Sequence, residues 1–314
     1  MATWDLEPTR DNLHGHFSRD LRPILTIKSG DTVNYRTFDA GWHAQPPTGK
    51  FGPRPPQIEP RDPSLDAGHC LVGPIWIDGA EPGMALEIKI NEIVVGSWGW
   101  TRAGFPSPVN DWLGIADKPA VLGWSLDPDA MRGQNQHGFE ISLRPFMGVM
   151  GMPPDEPGIL STSPPRDTGG NLDCKELVVG TSLFLPIAVS GGLFSVGDGH
   201  AAQGDGEVCG TAIECPMDNV SLTFELHRDM QLKTPRIKTD AAWMTLGVDK
   251  DLHEATLKAL ADMLDLMGEL YGLQRSDAIA LASLVVDMRI TQIANGVLGV
   301  HAVLPLDAIS APTG

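Results

Sequence analysis

The chain has 314 residues, 42% of them hydrophobic, ample for a large core as one domain or as two halves sharing an interface. Its 40 acidic residues against 23 basic ones give a net charge of −17, a field that repels nucleic acid. The acids are spread along the chain rather than gathered in a tail, as on a soluble acidic surface.

No window approaches the roughly 20 consecutive apolar residues of a membrane span. The N-terminus MATWDLEPTRDNLHGHF lacks the basic, apolar and small-residue regions of a signal peptide, so the expected location is the cytoplasm, with neither membrane nor nucleic acid as partner. Cys70, Cys174, Cys209 and Cys215 are too few and too scattered for a disulfide framework. The 35 glycines and 26 prolines supply turn signals throughout and point to a β-rich chain.

From Pro23, PILTIKSGDTVNYRTFDAGW predicts two short strands around a Gly30-Asp31 turn. Positions 45–64 are proline-rich and polar, a surface loop. Strands follow at 70–77 and 85–95, the second alternating apolar with polar residues. Positions 96–136 lack sustained periodicity and read as a long loop, a candidate lid or substrate wall. A strand is expected at 139–143, a glycine- and methionine-rich turn at 146–154, and one bent or two short strands at 176–189. A short strand at 193–196 would deliver Gly197-Asp198-Gly199-His200 as a turn, and 208–215 would pair with 219–226 as a hairpin. Helical spacing appears only late, over 249–270, with a second helix from Ser276 to Met288. Strands at 290–294 and 297–304 close the chain. The fold class is therefore β-rich α+β, with antiparallel sandwich- or barrel-like sheets and a C-terminal α+β portion. Residues 1–165 form the β-rich N-terminal portion of one compact unit, and 166–314 carry the two helices and the chemistry.

That chemistry concentrates between Pro165 and Glu214. Asp173, Asp198, His200, Asp205, Glu207 and Glu214 lie on either side of a strand and its turns. Mixed His, Asp and Glu ligation with an open position lets a divalent metal make water nucleophilic near neutral pH. A remaining carboxylate then serves as base and acid. The same residues would equally serve as solvated turns, because Gly-Asp pairs are common turn chemistry. His14, His16, His43 and His69 lie elsewhere. His14, together with Asp39, reaches a site only if the N-terminal sheet packs against the Gly-Asp-Gly-His segment. No nucleophile elbow and no phosphate loop competes.

His14-Gly15, SGDTV at 29–33, GHCLVGPIWIDGAEPG at 68–83, the segment 148–153, GGNLD at 169–173 and above all GDGHAAQGDGE at 197–207 resemble the acetamidase/formamidase family over nearly the whole chain. Asp287-Met288-Arg289-Ile290-Thr291-Gln292 is similar to the family's C-terminal pattern. The resemblance implies a family-specific β-rich fold and hydrolysis of small linear amides to carboxylate and ammonia. It also implies a bound divalent metal, zinc first, with manganese or calcium as alternatives. Carried onto this chain, it implies Asp173 and His200 as metal ligands, with Asp198, His14 and Glu214 as further candidates. Glu207 is the implied general base, Glu214 the second choice, and Asn171 or a backbone amide holds the oxyanion. Asp39 to Trp42 and the Trp98-Gly99-Trp100 segment depart from the family pattern and bear on substrate size. The rival expectations are a cyclic-amide (lactam) hydrolase using the same site and a metal-stabilised binding protein without turnover. A homodimer is the default for a cytoplasmic enzyme.

Overall fold

The period-two alternation of ALEIKINEIVV builds the spine of the molecule. In a computed structural model that describes residues 1–51 and 55–310, Ala85–Val95 is an eleven-residue strand with Leu86, Ile88, Ile90 and Ile93 buried. It pairs antiparallel with Met217–His227 on one side and Ser182–Pro186 on the other, at the centre of a nine-stranded sheet. That sheet runs from the N-terminal strand Thr3–Leu6 to the C-terminal strands Leu298–Pro305 and Asp287–Gln292.

Facing it is a six-stranded sheet ordered Gly169–Asn171, Phe146–Gly151, Phe194–His200, Leu71–Ile77 and Leu13–His14, with Leu25–Ile27 parallel to Leu71–Ile77. The largest apolar cluster draws on both sheets, with Ile88, Leu222 and Phe224 from one and Val72, Ile75, Phe194 and Val196 from the other. A β-sandwich results, because each sheet hides its apolar face against its neighbour. The expected fold class is the one found.

Several local expectations are corrected. Gly197-Asp198-Gly199-His200 is no turn: all seven residues of Phe194–His200 are buried strand. Packing is the reason, since a Cβ at Gly197 would sit 2.4 Å from the Cys70 carbonyl oxygen and one at Gly199 2.7 Å from that of Cys215. The glycines admit neighbouring backbones; they do not bend the chain. The expected turn at 146–154 is also strand over Phe146–Gly151, fully buried. The loop expected at 96–136 contains strands Trp98–Ala103, Ala120–Asp127 and Arg132–Asn135, which with Glu140–Ser142 form a four-stranded antiparallel sheet. A short helix, Pro108–Trp112, interrupts it.

The two early strands do not pair with each other. Leu25–Ile27 joins the six-stranded sheet and Thr32–Thr37 the nine-stranded one. No hairpin joins 208–215 to 219–226 either. The second segment belongs to Met217–His227 in the nine-stranded sheet, whereas the first makes only bridges at Glu214. In the expected proline-rich loop, positions 52–54 lie outside the described residues.

The helices appear where expected. Leu252–Tyr271 starts at Asp251, whose side chain accepts from the backbone N–H groups of His253 and Glu254, and stops at Gly272 in the left-handed region. Arg275–Val285 begins at Gln274 without a side-chain cap, so Ser276 lies inside the helix. It stops short of the expected Met288 because Asp287 and Met288 already pair in the strand Asp287–Gln292. Both helices pack through Ala255, Ala259, Met263, Ala278 and Ala282 onto Val300, Ala302 and Leu304. Among the described residues no helix is long and apolar enough to cross a membrane.

Candidate active site

Phe194–His200 carries Asp198 and His200 through the middle of the six-stranded sheet, and its neighbour Phe146–Gly151 carries Gly148 beside them. Gly169–Asn171 on the far side of that neighbour leads directly to Asp173. The segment after the central strand returns with Glu207 and Glu214. Glu214 stitches the site together. Its backbone bridges His200 of the six-stranded sheet and Trp100 of the four-stranded one, with N–H to O contacts of 2.9 Å to and from Trp100.

Five of the expected residues therefore meet. Asp173, His200 and Glu207 offer ligand atoms within 4.8 Å of one another, and so do Asp198, His200 and Glu214. His200 Nε2 lies 3.2 Å from Glu214 Oε2 and 3.4 Å from Asp198 Oδ1. Asp173 Oδ2 accepts from Asn295 Nδ2 at 2.7 Å, and Glu214 Oε1 from the Ala212 N–H at 2.9 Å. Asp173 Oδ1, His200 Nδ1, Glu207 Oε2 and Glu214 Oε2 are buried without a hydrogen-bond partner among the described residues. Asp173, Asp198 and Glu207 all adopt positive φ, between 44° and 60°. Such strain clusters at functional centres.

Electrostatics makes the same point. Burial, with the Asp198 and Glu214 charges working in the same direction against His200, pushes the Asp173 carboxyl up to about 8. Burial and then the Asp173 charge push Glu207 up, and burial raises Glu214. Burial opposes ionisation of Asp198 too, but the charges of His200 and His69 outweigh it and hold that carboxyl low. His200 is lifted above its ordinary value because Glu214 and Asp198 overcome its burial. Four carboxylates and one imidazole are thus packed together with too little positive charge to balance them. An added divalent cation fits this donor set. Gly148 lets the backbone approach three of these groups closely, because a Cβ there would lie 2.5 Å from Asp198 Oδ2, 2.8 Å from His200 Cε1 and 2.9 Å from Asp173 Oδ1.

A cavity of about 290 Å³ opens beside these groups, with Asp198, Glu207, Glu214 and Asn171 on its wall. Asn171 Nδ2 donates to the Ser163 carbonyl, and its Oδ1 has no partner among the described residues. Trp42 and Trp100 form another part of the wall. Asp39, fully buried, accepts from Trp100 Nε1 at 2.7 Å and holds His43 through both ring and backbone. Trp98 packs edge-on against His43 instead of lining the cavity.

His14 stands outside both ligand groups. Its Nδ1–H donates to the His16 carbonyl at 2.7 Å, and its Nε2 lies 3.0 Å from Ser195 Oγ. Sequence reasoning named His69 only as a histidine lying elsewhere and did not single out Arg61 or Asn295, yet all three line the cavity. Each is isolated in sequence from the acidic block, and only strand pairing brings them there. Gly148 was readable only as a turn residue.

The acetamidase/formamidase family profile matches residues 3–160 and 156–309. The chain belongs to that family. Among characterised relatives, a formamidase from Methylophilus methylotrophus is 28% identical over 255 residues, 64% of this chain and 61% of the relative. An acetamidase from Mycolicibacterium smegmatis is 28% identical over 262 residues, 64% of this chain and 63% of the relative. The matched region thus spans under two thirds of those relatives' length. The crystal structure of an acetamidase from Bacillus halodurans superposes with a TM-score of 0.83 at 28% identity, covering 96% of this chain and 97% of that one. An acetamidase from Yersinia enterocolitica gives 0.84 at 25% identity, covering 98% and 93%. A γ-lactamase from Delftia acidovorans shares the fold at a TM-score of 0.61 and 20% identity. In this acetamidase/formamidase family member Asp198 and His200 lie on a buried strand, and Asp173 and Glu207 lie on irregular segments beside it.

Proposed function

We propose that the chain hydrolyses small linear amides to carboxylate and ammonia at the cluster of Asp173, Asp198, His200, Glu207 and Glu214. The observation that carries this reading is the pair of overlapping ligand groups built on His200, with Asp173 Oδ1, His200 Nδ1, Glu207 Oε2 and Glu214 Oε2 buried and without a hydrogen-bond partner among the described residues, together with family membership.

Asp173, Asp198 and His200 converge on Gly148 and are the residues that would hold a divalent metal, zinc in the first instance. Such an ion supplies a Lewis acid and lowers the pKa of a water at the site. Glu207 and Glu214 face the cavity. Glu207 is the base, because Glu214 has one oxygen committed to the Ala212 N–H and a backbone fixed by two sheets. In the reaction a water oxygen bonds to the amide carbon while Glu207 takes a proton from it. Glu207 then returns that proton to the nitrogen as the C–N bond breaks, and ammonia leaves. Asn171 keeps one Nδ2 proton beyond the one given to Ser163, and that proton serves the oxyanion. Its Oδ1 accepts from the substrate N–H2.

The test is ammonia release from formamide, acetamide and larger amides, measured before and after chelator dialysis and after zinc or manganese add-back, with elemental analysis of the purified protein. Loss on chelation and recovery on add-back is the expected result. Turnover that persists in metal-free protein removes the metal from the mechanism. Absence of turnover on every amide, in folded and metal-loaded protein, removes the hydrolytic reading.

A further inference from the structure

The cavity wall contains a cation that nothing in the hydrolysis of acetamide requires. Arg61 lines the cavity that also exposes Asp198, Glu207 and Glu214. Its guanidinium carbon stands 4.7 Å from the centre of the Trp42 ring. Its Nη1 donates to Gln57 Oε1 at 2.5 Å, and its Nη2 donates to the Asp66 carbonyl. These partners are a π-face, an amide oxygen and a peptide oxygen, all uncharged. The Asp66 carboxylate is engaged elsewhere, by Arg10 at 2.5 Å and by the Asp62 N–H.

Glu59 Oε2 accepts from the Arg61 backbone N–H at 3.0 Å, but among the described residues no carboxylate pairs with the guanidinium, and Nε is buried without an acceptor. The position is nevertheless firmly set. Trp42 adopts φ +68°, donates its indole N–H to the Gly68 carbonyl at 2.8 Å, and accepts the Ile58 N–H at its own carbonyl at 2.9 Å. That last bond ties the segment carrying Arg61 to the ring on which it stacks. A guanidinium held this way, in a chain with 40 acidic residues, and still without an acid, is preorganised for an anion from outside.

The rest of the cavity agrees. Gln57, His69, Ser163, Thr211 and Asn295 make its wall polar. A volume of about 290 Å³ also far exceeds acetamide's needs, given that a water occupies roughly 30 Å³ in the liquid. Resting on the amidase reading above, we infer that the preferred substrate is a primary amide whose acyl chain ends in a carboxylate, and that Arg61 binds that carboxylate. The amide end meets the Asp173–His200 cluster and the anionic end meets Arg61. Hydrolysis of such a substrate yields a dicarboxylate and ammonia.

The experiment compares metal-loaded wild type, Arg61→Gln and Arg61→Lys on matched amides, malonamate against propionamide and succinamate against butyramide. The readout is the ratio of kcat/KM within each pair. In the wild type one charged member should exceed its neutral match by about 10-fold or more. Arg61→Gln should lower that ratio by about 10- to 100-fold, the span associated with hydrogen bonds to charged groups. Arg61→Lys should restore part of it.

Calorimetric binding of succinate against butyrate gives a readout independent of turnover, and the same residue should control the difference. A wild-type ratio near one, or a ratio and a succinate affinity unchanged in Arg61→Gln, overturns the role of Arg61. Arg61-dependent succinate binding without turnover of any amide upholds the anion site and removes the hydrolytic reading instead.

Discussion

Adding a single methyl group at Gly148 is the sharpest test of how the site is built. The glycine lies in strand Phe146–Gly151 and is not at positive φ, so alanine there imposes no backbone strain. Its whole effect is steric. The new Cβ would stand 2.5 Å from Asp198 Oδ2, 2.8 Å from His200 Cε1 and 2.9 Å from Asp173 Oδ1, where ordinary contacts begin at 3.4 Å. The three groups must therefore retreat by roughly 0.5 to 0.9 Å, the largest movement falling on Asp198. A displacement approaching 1 Å in a catalytic array costs about 100-fold in rate. Disturbed ligands typically cost 10- to 100-fold in metal affinity. Gly148→Ala should thus lower kcat/KM for amide hydrolysis by about 100-fold and weaken metal retention in a competition titration with a chromophoric chelator. The far-UV circular dichroism should stay that of the wild type. A folded variant with activity and metal affinity within about threefold of wild type would falsify the idea that this cradle positions the reacting groups.

Other outcomes follow from the same structure. Glu207→Gln should lower kcat by about 10²- to 10⁴-fold, the usual worth of a general base, with metal content unchanged on elemental analysis; an active variant would move the base to Glu214. The Arg236 guanidinium, buried against Asp262 through two 2.9 Å bonds, ties strand Arg236–Lys238 to helix Leu252–Tyr271. Asp262→Ala should cost about 3 kcal/mol in urea unfolding, the low end for a broken buried pair because Glu269 still contacts Arg236. A loss below about 1 kcal/mol would show that Glu269 alone suffices. Burial holds the His14 imidazole down to about 4. Above pH 6.5 it is neutral folded or unfolded and contributes no slope. As pH falls from 6.5 towards 4 the unfolded chain binds a proton that the folded one refuses, so stability drops by up to about 3 kcal/mol. His14→Gln should flatten the stability curve in that window, and an unchanged slope would rule out His14 as its source.

The sequence was legible where side chains alternate or repeat. Ala85–Val95 announced itself by period-two alternation, and Leu252–Tyr271 by helical spacing between Asp251 and Gly272. It was illegible where burial falls on both faces. Phe194–His200 and Phe146–Gly151 are buried throughout and glycine-rich, so they show no alternation, and positions 197–200 and 146–151 read as turns. The four-stranded sheet was hidden for another reason. Of its strands only Glu140–Ser142 was expected, at 139–143; Arg132–Asn135 is short and largely polar, and only its partners make it a strand. For the site, local density pointed to Asp173, Asp198, His200, Glu207 and Glu214, which lie within one block of the chain. His69, Arg61 and Asn295 reach the cavity through tertiary pairing alone, which no single segment encodes.

Placing Asp198 and His200 in the middle of a sheet has a consequence for how this protein fails. Residues on loops lose their arrangement through local opening, well below the denaturant that unfolds a domain. Here the groups are fastened to the central strand of the sheet, flanked on both sides by hydrogen-bonded partners. No small opening can dismantle them without breaking the core. Amide protons of Val196 to His200 should accordingly be among the slowest to exchange, whereas activity, which also needs Asp173 and Glu207 on irregular segments, should be lost at a lower urea concentration than the sheet. Loss of activity then reports the opening of these segments before it reports the loss of the native sheet.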